Sequence, residues 1–282
     1  MNLTRLCAGP MLALLLAGCA VPTLTATPGG VPIDTRHTAQ GQDSRALFLI
    51  LHYTVGSLPQ SIQILTRGEV SVHYLLTDEA PPTIYRLVAE DRRAWHAGPS
   101  YWQGHAMLNA SSIGIEIVHP GFRQRPDGSR EYLPFPPAQI DALIPLVKDI
   151  VGRHQIRTDR ILGHSDVQPQ TKEDPGPTFP WKQLADLGIT PPWPDATRVA
   201  TQRTLYEAPL PTGETGLPNA LWFQRALAKH GYEIMPTGEW DKQTQRVLMN
   251  FQMRYRPDNY LGQPDAETAA LIWVLTNPVK TP

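Results

Sequence analysis

Leu47-Phe48-Leu49-Ile50-Leu51-His52-Tyr53 is a run of five apolar residues closed by a histidine and a tyrosine. Its length and composition read as a buried β-strand, and His52 stands at the strand's end, where the backbone is fixed while the following loop leaves a cleft open. Far along the chain a second short apolar run, Ile161-Leu162-Gly163, leads into His164-Ser165-Asp166, and Lys172-Glu173-Asp174-Pro175 follows. Pro169, Pro175 and Pro177 can hold that loop back toward His164. His52, His164 and Asp174 then form an N,N,O donor set with one coordination position open, the pattern of a zinc site that activates water for hydrolysis.

Working outward from this strand, residues 45–188 alternate strands (46–53, 72–77, 83–88 and 113–118) with helical patterns near 59–67 and 137–151. The fold class predicted is α/β, a mixed central sheet flanked by helices. Ile140, Leu143, Ile144, Val147 and Ile150 share one face of the second helix, but Pro145 inside it removes a backbone bond and predicts a kink. Thr190-Pro191-Pro192-Trp193-Pro194 and the polar run after it read as a linker over 189–216.

The remaining segment, 217–282, contains a short repeat in which Gly238-Glu239-Trp240-Asp241 is echoed by Gly262-Gln263-Pro264-Asp265. Each aspartate is placed to cap a helix, so helices are predicted over about 219–230, 241–255 and 265–275, a small three-helix module.

At the other end, Arg5, the apolar Met11-Leu12-Ala13-Leu14-Leu15-Leu16 and then Leu16-Ala17-Gly18-Cys19 have the order of a secretory signal over 1–18. Leu-Ala-Gly-Cys resembles the lipobox of bacterial lipoproteins. That resemblance implies lipidation of Cys19, and Ala20 in place of an inner-membrane aspartate implies the outer membrane, periplasmic face. Residues 19–44, rich in Thr, Pro and Gly, read as the lipidated tether. The only other cysteine, Cys7, falls within the signal, so any metal site must use His, Asp or Glu. With 25 basic and 26 acidic residues the chain has no field for gripping nucleic acid.

Hydrolysis also needs a proton shuttle, and Glu116 in Ile113-Gly114-Ile115-Glu116-Ile117 is the candidate, because an unpaired charge in an apolar strand is expensive. The same pattern also suits an edge strand with the glutamate in water. Lys172 is a candidate stabiliser of the charge that develops on the reacting oxygen, or else a surface lysine. His73, His105 and His119 are alternative ligands of lower rank: His73 opens a strand, and the other two fall in loop-like sequence.

These residues resemble the zinc-dependent N-acetylmuramoyl-L-alanine amidases of the amidase type 2 group. The resemblance covers about 45–188 and rests on Leu51-His52-Tyr53-Thr54, Val72-His73-Tyr74-Leu75-Leu76, Arg93-Ala94-Trp95-His96-Ala97-Gly98, Ser112-Ile113-Gly114-Ile115-Glu116 and Gly163-His164-Ser165-Asp166 with Lys172-Glu173-Asp174-Pro175-Gly176. It implies His52, His164 and Asp174 as zinc ligands, Glu116 as acid/base and Lys172 as stabiliser, with Tyr53, His73, Trp95 and His96 as candidate substrate contacts. The C-terminal repeat, with Phe223-Gln224 and Phe251-Gln252, resembles the peptidoglycan-binding domain type 1. Together the two resemblances imply peptidoglycan or its muropeptides as partner. The competing expectation is a lipoprotein that binds peptidoglycan without cutting it.

Overall fold

The structure, a computed structural model, describes residues 24–211 and 214–279; the signal segment and Cys19 lie outside the described residues. Leu24–Ala26 (β1) and Pro32–Asp34 (β2) pair antiparallel across a Pro28-Gly29-Gly30 turn, so the stretch read as a tether carries a small hairpin, every residue of it exposed. From Ser44 onward the chain forms a separate compact unit.

That unit begins with β3 (Phe48–Tyr53), α1 (Leu58–Arg67), β4 (Tyr74–Leu76) and β5 (Ile84–Arg86). A two-residue ribbon, β6 (Tyr101–Trp102) with β7 (His105–Ala106), precedes β8 (Ser112–Ile117), and a hairpin of β9 (Phe122–Gln124) with β10 (Arg130–Tyr132) follows it. Then come α2 (Pro137–His154), β11 (Ile161–Gly163), α3 (His164–Val167), α4 (Trp181–Asp186), α5 (Ala196–Glu207), α6 (Ala220–His230), α7 (Lys242–Tyr255) and α8 (Ala266–Thr276). The central sheet has the order β11-β3-β8-β4-β5, with parallel neighbours except for the antiparallel edge strand β5. The expected mixed α/β sheet is present.

The period of two along each strand divides the core. Leu49, Leu51 and Tyr53 of β3 and Ile113, Ile115 and Ile117 of β8 face the layer of α2 and α4, where Leu143, Val147, Trp181 and Leu184 pack against them. Phe48, Ile50 and Leu162 face the other way and share a second core with Phe223, Leu227, Phe251 and Ile272 of the C-terminal helices. A strand covered on both faces has no polar position to spare, which is why 47–51 is unbroken apolar sequence.

Helix α2 continues through Pro145 to His154, so the proline leaves the helix unbroken. The C-terminal helices start where their caps dictate: Asp241 and Asp265 each accept from the backbone N–H three residues on, at 2.8 Å. The segment 189–216, expected as linker, instead contains α5. Asp195 caps it through the N–H of Arg198 at 2.8 Å, and Val199 and Tyr206 lean on the second core. Few apolar side chains recur along α5, so no periodic signal marked it.

Candidate active site

His52 falls on the same side of β3 as Phe48 and Ile50, and in the sheet register it lies directly opposite Glu116 of the parallel neighbour β8. His164 is the first residue after β11, where the Asp166 carboxylate accepts the Gly163 N–H at 2.8 Å and closes the turn into α3. The loop that follows returns to this point, and Ser165 N–H donates to the carbonyl of Asp174 at 2.9 Å. Gly163 makes that return possible, since a Cβ there would lie 2.6 Å from Pro175 Cδ and 3.3 Å from the Asp174 carbonyl. Gly163→Ala is therefore expected to push Asp174 outward and weaken metal retention by roughly 10–100-fold, as loss of a supporting interaction does. A competition titration with a chelating dye measures it.

Three donor atoms converge. His52 Nδ1 is 3.0 Å from His164 Nδ1 and 3.1 Å from Asp174 Oδ2, and His164 Nδ1 is 3.2 Å from that same oxygen. A near-equilateral triangle of this size has a point about 2.0–2.1 Å from every vertex, the distance at which zinc takes imidazole and carboxylate. His73, His105 and His119, the alternative ligands, lie outside this cluster.

The protonation states also suit a cation. Burial, helped by the neighbouring His164, brings the His52 pKa down to about 4 and keeps the ring neutral. Burial alone would raise Asp174, but positive charge and N–H donation at the two histidine rings hold the carboxyl well below its usual range, hence ionised, and a bound cation would supply that positive charge where both Nδ1 atoms present lone pairs.

Hydrogen-bond direction sets the tautomers. The Ser112 hydroxyl donates to the Leu108 carbonyl at 2.7 Å, so it accepts from His96 Nε2 at 3.2 Å. His96 Nδ1 is then the acceptor for His52 Nε2–H at 3.1 Å, which leaves the lone pair of His52 Nδ1 pointing at the metal position. His164 Nε2 donates to Gln168 Oε1 at 3.2 Å with the same result for its Nδ1. Gly114 makes room for this relay, because a Cβ there would stand 2.6 Å from the His96 ring.

A cleft of about 440 Å³ opens beside the donors, and Tyr53, Trp95, Glu116, Lys172 and Asp174 line it. Glu116 Oε2 is buried with no hydrogen-bond partner among the described residues. Burial, reinforced by the Asp174 carboxylate and only partly opposed by Lys172, raises the Glu116 carboxyl well above the ordinary range. The reading of Glu116 as a solvated edge residue therefore does not hold.

Of the candidate substrate contacts, Tyr53 and Trp95 line the cleft, Trp95 with 49% of its surface exposed and the Arg93 guanidinium 4.0 Å from its ring centroid. His96 reaches the wall of the cleft, but both its nitrogens are engaged in the relay. His73 is not in the cleft: it is fully buried, accepting from Gly114 N–H at 3.0 Å and bonding the Arg92 carbonyl at 3.2 Å. An imidazole with two backbone partners braces the sheet, which corrects the expectation of a substrate contact. His119 is likewise structural, stacked on Phe135 with centroids 4.0 Å apart.

The rim of the cleft was not legible in the sequence. Glu173, between Lys172 and Asp174, takes Tyr132 Oη–H and Arg246 Nη1–H at 2.6 Å each, and Arg130 joins them. Arg246 belongs to α7, 73 residues beyond Glu173, and no local pattern connects it to the cleft.

Residues 42–177 match the profile of the N-acetylmuramoyl-L-alanine amidase family and residues 217–272 that of a peptidoglycan binding domain. The chain is 42% identical over 264 residues to the N-acetylmuramoyl-L-alanine amidase AmiD of Escherichia coli K12, covering 92% of each protein. The chain belongs to the N-acetylmuramoyl-L-alanine amidase family. This amidase is also similar in structure to E. coli AmiD in complex with anhydro-N-acetylmuramic acid-L-Ala-D-γ-Glu-L-Lys, with a TM-score of 0.77 and 40% identity over 90% of this chain and 96% of that one. Its similarity to AmpDh3 of Pseudomonas aeruginosa in complex with anhydromuramic pentapeptide gives a TM-score of 0.76 and 36% identity over 86% and 96% of the two chains.

Proposed function

We propose that this amidase hydrolyses the amide bond between N-acetylmuramic acid and L-alanine in peptidoglycan or its fragments. The observation that carries the reading is the meeting, at one cleft, of three cation-ready donors and an unpartnered buried carboxyl oxygen, Glu116 Oε2. Two neutral histidines and one carboxylate fit zinc, held by His52, His164 and Asp174. When bound, zinc supplies a Lewis acid that polarises the scissile carbonyl and acidifies water at neutral pH.

The chain's own groups do the rest. Glu116 takes the proton from the attacking water at its carboxylate and returns it to the nitrogen of the departing L-alanine. A group with a raised pKa suits both halves of that task, because it holds a proton long enough to give it back. Lys172 places its ammonium toward the oxygen that becomes negative as the tetrahedral centre forms. Trp95 offers an aromatic face to sugar or peptide at the cleft mouth. A protein that only bound wall would have no use for an unpaired buried carboxyl beside a metal site, so the binding-only reading has less support.

Residues 45–188 are assigned to catalysis and 217–282 to wall binding, with the family match over 217–272 in support of the latter. Leu16-Ala17-Gly18-Cys19 supports a lipid anchor at Cys19, and Ala20 in place of an aspartate supports a place on the outer membrane, with the chain facing the periplasm. Mass spectrometry of purified peptidoglycan digested with and without a chelator tests the activity. Chelator-sensitive release of stem peptides with a free L-alanine amino terminus is expected; intact wall retained on the protein, with no peptide released, would replace this reading with a binding role.

A further inference from the structure

The loop over 168–175 carries Lys172 and Asp174, and the C-terminal helices hold it. Asn250, in the middle of α7 and 1% exposed, donates through Nδ2 to the carbonyl of Pro169 at 2.8 Å and to that of Lys172 at 3.1 Å. One turn earlier, Arg246 donates through Nε to the Pro169 carbonyl at 3.1 Å and through Nη1 to Glu173 Oε1 at 2.6 Å. One turn later, Arg254 pairs with Asp166 Oδ2, whose other oxygen accepts Tyr232 Oη–H at 2.9 Å. Asp166 is the residue that closes the turn presenting His164.

Positions 246, 250 and 254 recur every four residues and so form one stripe along α7. The stripe is polar although Asn250 and Arg254 are buried, and each of its donors ends on the segment that carries His164, Lys172 and Asp174. Buried donors are retained only where they find acceptors, and here the acceptors are carbonyls and carboxylates flanking the metal donors. A module needed only for gripping wall would have no requirement for this stripe, and Arg246 goes further by lining the cleft itself.

We propose that α7 is a supporting arm of the active site, with Arg246 and Asn250 as positioning residues that keep Asp174 and Lys172 in place. The module assigned to wall binding thereby takes part in metal retention and turnover. This inference rests on the roles given above to Asp174 and Lys172.

The test uses the full chain with Asn250→Ala, Arg246→Ala and Arg246→Lys, the last retaining the charge opposite Glu173. Arg246 is partly exposed, so its variants keep the core even if Asn250→Ala does not. Zinc release to a chelating dye is followed well below the melting temperature, alongside kcat and KM on a soluble muropeptide and sedimentation with purified wall. Arg246→Ala and Asn250→Ala are expected to release zinc faster and to lose kcat by about 10-fold or more, with KM and sedimentation little changed and partial recovery in Arg246→Lys. Zinc release and kcat within about two-fold of the unaltered protein would overturn the arm alone. An unaltered protein without stoichiometric zinc would overturn the reading of the site and the arm with it.

Discussion

Glu116→Ala is expected to lower turnover by about 10²–10⁴-fold while the protein still carries its full complement of zinc. Glu116 Oε2 has no partner among the described residues, so the side chain contributes no hydrogen bond there that the fold would miss. Burial opposes its ionised form, and a neutral, smaller residue removes that penalty, so the melting temperature should hold or rise. A metal ligand would behave in the opposite way, losing zinc and stability together. Metal analysis, kinetics and a melting curve on the same preparation separate the two roles, and loss of zinc in this variant would count against a proton shuttle.

His52→Ala is expected to abolish both zinc binding and turnover, the latter falling to the uncatalysed background. His52 supplies one of three donors and also ends the relay through His96 and Ser112, so no neighbouring side chain can replace it. Chelation of the unaltered protein should reproduce the loss of activity. It should also lower the melting temperature, because a ligand present at 100 times its Kd stabilises the folded state by about 2.7 kcal/mol. Chelator should leave the melting temperature of His52→Ala unchanged; a shift there would place the metal elsewhere.

Much of this site was legible because the sheet arranges it simply. His52 and Glu116 each sit near the end of an apolar strand, and parallel pairing sets such positions side by side. The turn after Ile161-Leu162-Gly163 and the proline-rich return to Asp174 are likewise local features of sequence. The same locality explains what was missed. His73 and His96 stand in similar contexts in the chain, yet one braces backbone and the other orients a ligand, a difference fixed by what Gly114 and Ser112 present to them across the sheet. Arg246 acts on a loop distant in sequence, and helix α5 is held by its Asp195 cap, by Val199 and Tyr206 leaning on the second core and by Arg198 and Arg203 reaching Asn277 and Glu267, instead of by a continuous apolar face.

The second core, shared between the sheet and the C-terminal helices, bears on how the protein can be divided. Its wall-directed segment looks in sequence like a detachable bead on a string, yet Phe48, Ile50 and Leu162 of the catalytic sheet are sealed by Phe223, Leu227 and Phe251. A chain stopped before Ala220 would bare a greasy flank beneath its own catalytic strand and would clump in the tube, so anyone trimming or grafting this enzyme should move both halves as a single piece.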